Sequence, residues 1–159
     1  MFLFEMSGVY ICATRGAVEI IEAFEAIGVD VSGIQFVDLV SSGTLGGTDV
    51  PYTNITFVDS PIMLESVLLK TLYTLRISNS ERNFVVIDSV NALAIYNEER
   101  MLAEYLHTFI NTFRQREVLS VILNVPIELF NTTQTFINFS WFFADDGDAS
   151  LICNLTVDG

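Results

Sequence analysis

The sequence predicts an α/β fold: a three-layer, mostly parallel sheet flanked by helices, with a C-terminal antiparallel hairpin. Three observations lead there. Short apolar, β-branched runs bounded by turn residues alternate with amphipathic helical stretches, the grammar of parallel strands joined by crossover helices. One run, Phe84-Val85-Val86-Ile87-Asp88, ends in a carboxylate followed by Ser89 and a helix start. A buried strand that delivers one charge to the ligand-bearing edge of a sheet has this form. After Pro126 the pattern becomes two strands, Gln134 to Phe143 and Ala149 to Val157, joined by Asp145-Asp146-Gly147-Asp148, a hairpin signal.

Taken in order, Gly8 to Ala13 is a buried strand, and Thr14-Arg15-Gly16 turns into a helix from about Ala17 to Ile27. Val18, Ile21, Phe24 and Ile27 keep helical spacing there, and Gly28 suits a left-handed C-cap. Ile34 to Val40 is the second strand; a polar, glycine-rich loop from Ser41 to Tyr52 leads to a third, Asn54 to Val58. Asp59-Ser60-Pro61 opens a helix whose face is Leu64, Val67, Leu68, Thr71, Leu72 and Leu75, ending near Ile77. The Phe84–Asp88 strand follows. A helix from about Glu98 to Arg116 then buries Met101, Leu102, Tyr105, Leu106, Phe109, Ile110 and Phe113. Leu119 to Asn124 is the next buried strand.

At 159 residues the chain is expected to form a single domain, residues 1–159, with a core of its own. Hydrophobic residues make up 51%, and mean hydropathy is +0.48, which strands buried on both faces explain. No apolar run approaches the roughly 20 residues needed to span a bilayer. Met1 to Glu5 has no basic leader, so a cytoplasmic location and no membrane partner are expected. Net charge is −13, with Lys70 the one lysine, and no basic stripe exists to meet a phosphate backbone; nucleic acid is not an expected partner. Cys12 and Cys153 sit mid-strand and read as reduced core thiols.

The order of these pieces resembles the KaiC-like branch of the RecA superfamily of ATPases, especially its archaeal members. The likeness rests on the strand G-V-Y-I-C-A, the helix ending Ile27-Gly28-Val29-Asp30, F-V-D-L-V, the V-D-S-P opening at 58–61, V-V-I-D-S at 85–89, and S-V-I-L-N at 120–124. It implies a RecA-like sheet in which Asp88 stands at the metal-holding position, with Ser89, Thr14 and Arg15 beside a residual nucleotide–Mg²⁺ corner. The departures are as informative. The lysine-bearing phosphate loop G-x-x-x-x-G-K-[ST] is absent, so the domain lacks the family's first strand–helix unit. Where the family places adjacent glutamates that activate water, this chain has Ala13-Thr14-Arg15-Gly16. Phosphoryl transfer needs a cradle and charge neutralisation, and one carboxylate supplies neither.

The resulting expectation is a non-catalytic module with a regulatory or assembly role, needing no cofactor. The alternative is an ATP–Mg²⁺-binding ATPase fragment or subunit whose phosphate loop is supplied in trans or lies upstream of Met1. Losing the first strand leaves a gap or an unsatisfied sheet edge, so the expected partner is a second copy, as a two-fold dimer, or a RecA-like protein. Single residues have plainer readings as well. Asp88 or Ser89 caps the turn that follows. Arg15 pairs with Glu19 on the surface or binds an anion. The Ser41–Thr48 loop is a connection or a minor site, His107 a solvated helix position, and Asp145–Asp148 a hairpin tip rather than a calcium loop.

Overall fold

The structure, a computed structural model, describes residues 6–41, 51–60, 62–78, 80–124, 137–143 and 149–155, with backbone alone from residue 124 onward. Its elements are β1 (Met6–Cys12), α1 (Ala17–Ala26), β2 (Ile34–Asp38), β3 (Ile55–Phe57), α2 (Leu64–Ile77), β4 (Arg82–Asp88), α3 (Val90–Ala94), α4 (Glu99–Arg114) and β5 (Leu119–Asn124), then β6 (Ile137–Phe143) and β7 (Ala149–Leu155). Strands β3-β2-β1-β4-β5 pair in that order, all parallel and without a gap. Backbone pairing continues to β7, parallel to β5, and to β6, antiparallel to β7.

Strand residues alternate between two cores. Val9, Ile11, Val37, Leu39, Val85 and Ile87 face a layer made by α2, α3 and α4, where Val67, Leu93, Leu102, Phe109 and Phe113 meet them. Tyr10, Cys12 and Phe36 face the opposite way, against Ala17, Ile20 and Ile21 of α1. A central parallel strand covered on both sides must be apolar in consecutive positions, which is why Val9 to Cys12 are all buried.

Chain direction across the sheet explains the two-sided cover. From β1 the chain steps outward through β2 to β3, then returns over the sheet to β4 and continues to β5 on the other side. Crossovers of one hand that move in opposite directions place their helices on opposite faces. The reversal falls between β1 and β4, which stay paired up to Cys12 and Asp88, and the sheet edge beyond such a switch point is where open α/β sheets receive ligands.

Several expectations shift in detail. In α1 the predicted Ile21 and Phe24 do lie on the core face, Phe24 partly covered, but Ala17 and Ile20 take the places of Val18 and Ile27, and Ile27 is 76% exposed. The helix ends before Ile27 can reach the core, with Gly28 at φ +80° as its left-handed stop. In α4, Met101 is exposed, because only Leu102, Tyr105, Phe109 and Phe113 point fully inward. Asp59 does not cap α2: Ser60 instead closes a turn one step earlier, its carbonyl accepting from Met63 N and its hydroxyl from Ile62 N. The Ser42–Thr48 part of the glycine-rich loop, the Asp145–Asp148 tip and the Cys153 side chain lie outside the described residues.

Candidate functional site

The switch-point edge of the sheet is formed by the ends of three adjacent strands. β1 ends at Cys12 and continues into Ala13-Thr14-Arg15-Gly16; β2 ends at Asp38, and β4 at Asp88. Backbone bonds hold these ends in place: Ala13 N donates to Asp88 O at 2.6 Å, and Leu39 N to Cys12 O at 3.0 Å. The two carboxylates belong to strands separated by β1, so their backbones stand about 10 Å apart.

Asp38 is fully buried. Its Oδ2 accepts from Ala17 N at 2.7 Å, while its Oδ1 accepts from Val40 N at 2.8 Å and Ser41 N at 2.9 Å. Ala17 is the first residue of α1, whose opening N–H groups have no partners inside the helix. A carboxylate there satisfies one orphan donor and complements the positive end of the helix dipole. Gly16 makes the approach possible, since a Cβ at that position would sit 2.5 Å from Ser41 Oγ and 3.6 Å from Asp38 Oδ2. The first helix N-terminus of a doubly wound sheet is an anion site by its nature. Here the chain's own carboxylate fills it.

Asp88 is 6% exposed, and its Oδ2 accepts a hydrogen bond from Tyr10 Oη at 2.9 Å. Tyr10 stands on β1 two residues before Cys12, on the same face as Asp88, and its ring packs between Phe24 and Phe36. Burial, then the charge and hydrogen bond of Asp88, push the Tyr10 hydroxyl well above the ordinary phenol range. The Cys12 thiol is likewise pushed up, first by burial and then by Asp38 and Asp88 on either side. Cys12 is a protonated core thiol, not a nucleophile.

The residues predicted for this corner come together, though not in the capping roles expected of them. Ser89 occupies the N-cap position of α3 without a side-chain cap bond, its Oγ buried and unpartnered among the described residues. Asp88 reaches sideways to Tyr10 rather than forward to the helix. Arg15 forms a surface pair with Glu19 at 3.6 Å, and Thr14 is half-buried in the same loop. His107 is exposed on α4 beside Asn111. Asp88 gives one oxygen to Tyr10, and Asp38, both of whose oxygens accept backbone N–H groups, lies two strands away. No family model matches the chain, and no curated protein matches it. Among the described residues no helix is long and apolar enough to cross a membrane.

Two participants were not singled out in the sequence. Asp38 ends Ile34-Gln35-Phe36-Val37 as Asp88 ends Phe84-Val85-Val86-Ile87, so the same signal was present twice. Tyr10 looked like an ordinary core aromatic. Its hydroxyl partner is 78 residues away in sequence, and only strand pairing reveals it.

Proposed function

We propose that this chain is a non-catalytic, RecA/KaiC-like module with a regulatory or assembly role. The observation behind this reading is the carboxylate of Asp38 on the N-terminus of α1. The N-terminus of α1, whose opening N–H groups and positive dipole could otherwise receive an anion, already holds a buried negative charge. A nucleotide approaching this sheet edge would meet the negative field of Asp38 and Asp88 together. The nearby cation, Arg15, is half-exposed and paired with Glu19. The Tyr10–Asp88 bond adds support. It spends the carboxylate that the resemblance marks for a metal on an internal contact that ties β1 to β4. Both acids then serve the architecture of the sheet edge.

Calorimetric titration of the purified chain with ATP and Mg²⁺ tests this. The module gives no binding heat, and Asp88→Ala changes stability alone. Micromolar binding abolished by Asp88→Ala would instead establish a nucleotide-binding subunit whose phosphate loop comes from elsewhere.

A further inference from the structure

The outward face of α2 is apolar in a way that neither the core nor the acidic sheet edge explains. Leu69, Tyr73 and Ile77 repeat at four-residue steps and are 65%, 67% and 62% exposed, and Ile62, just before the helix, is 61% exposed. At 100° per residue, Leu69, Tyr73, Glu65 and Arg76 fall within about 80° of one another. The opposite side of the helix, Leu64, Val67, Thr71 and Thr74, is the buried one. Lys70 is not part of the stripe, since its ammonium donates to Phe57 O at the end of β3. Glu65 and Arg76 are therefore the charges of this face, and neither has an ion-pair partner among the described residues.

The geometry points to a second copy of this chain as the occupant, packed antiparallel on α2 about a two-fold axis. A net charge of −13 repels another copy over most of the surface; the exposed positions of α1, for example, include Glu19, Glu22 and Glu25. The α2 stripe is neutral, with Glu65 near its start and Arg76 near its end, three turns apart or about 16 Å. A two-fold axis exchanges the ends of the helix. Centred between Lys70 and Thr71, it sets Glu65 opposite Arg76 of the partner subunit, and Arg76 opposite the partner's Glu65. The same register brings Leu69 near the partner's Tyr73, and Ile62 near the partner's Ile77. One axis thus matches the ion pair, the central apolar pair and the flanking apolar pair together, which is the self-complementarity an isologous interface requires.

This interface deepens the assembly role proposed above and rests on it. It also moves self-association from an open sheet edge to a helix face. Sedimentation or light scattering at about 50 µM is expected to give twice the 17.7 kDa chain mass. Leu69→Glu with Tyr73→Glu places four like charges in the apolar centre, weakening the dimer more than about 100-fold and leaving a folded monomer by circular dichroism. Glu65→Arg alone weakens it at least about tenfold, and adding Arg76→Glu restores it, because the swapped pair meets in the same register. A monomeric wild type, a dimer indifferent to Leu69→Glu/Tyr73→Glu, or a charge swap that fails to restore association would each overturn the proposal. Nucleotide turnover in the double-glutamate monomer would count against the non-catalytic reading, independently of the interface result.

Discussion

Asp38→Asn is the sharpest probe of how the sheet edge is built. The substitution keeps the shape and replaces one accepting oxygen with an NH₂ group. Asp38 holds three backbone N–H groups, at 2.7, 2.8 and 2.9 Å, so a carboxamide can serve either Ala17 or the Val40–Ser41 pair, not both. If its oxygen keeps the pair, the Ala17 N–H faces another donor inside a fully buried site. One charge-assisted bond is lost and the other two weaken to neutral ones, a cost of about 3 kcal/mol. In a domain of 159 residues this lowers Tm by about 6–12 °C. Urea denaturation should show the same loss as a lower midpoint at unchanged slope. Because dimer dissociation makes Tm depend on concentration, the comparison belongs in the Leu69→Glu/Tyr73→Glu background. A melting point within about 2 °C of the parent would refute the claim that this carboxylate anchors α1.

Further outcomes follow from other buried polar groups. Tyr105 buries its hydroxyl in the α4 layer with no partner among the described residues, so Tyr105→Phe should stabilise the fold by about 1 kcal/mol in denaturant titration. Alkaline stability has a definite sign. Tyr10 and Cys12 keep their protons in the folded state at pH values where the unfolded chain loses them, near the ordinary 10.0 for a phenol and 9.0 for a thiol. Above about pH 9 the unfolded chain therefore binds fewer protons than the native one, so this contribution is complete below that pH and is lost as pH rises. A pH series of melting temperatures should fall from there, and Cys12→Ala should flatten the first part of the fall.

The sequence made the fold class legible because a parallel strand covered on both faces has to be written as an unbroken apolar run. Val85-Val86-Ile87 and Val121-Ile122-Leu123 can hardly be anything else in such alternation. It did not make strand order legible, since no residue of β4 says that its neighbour is β1 rather than β3. Without that order, the switch point between β1 and β4 and the Tyr10–Asp88 bond that joins them stay hidden. In α1, Ile21, Phe24 and the stop at Gly28 are legible, whereas Ala17 and Ile20 fit a helical stripe as well as Val18 and Ile27 do, and only the packing against β1 and β2 separates them. The exposed side of α2 was passed over for a related reason. A search for the buried stripe finds Leu64 and Val67 first, and the apolar residues opposite become conspicuous only when their exposure is known.

The central claim is that both acids at this sheet edge are structural. Steady-state phosphate release by the purified chain with ATP and Mg²⁺ tests it most directly. The expected rate is indistinguishable from buffer, in the parent and in Asp88→Asn alike; sustained release that disappears on Asp88→Asn would show a working catalytic acid instead.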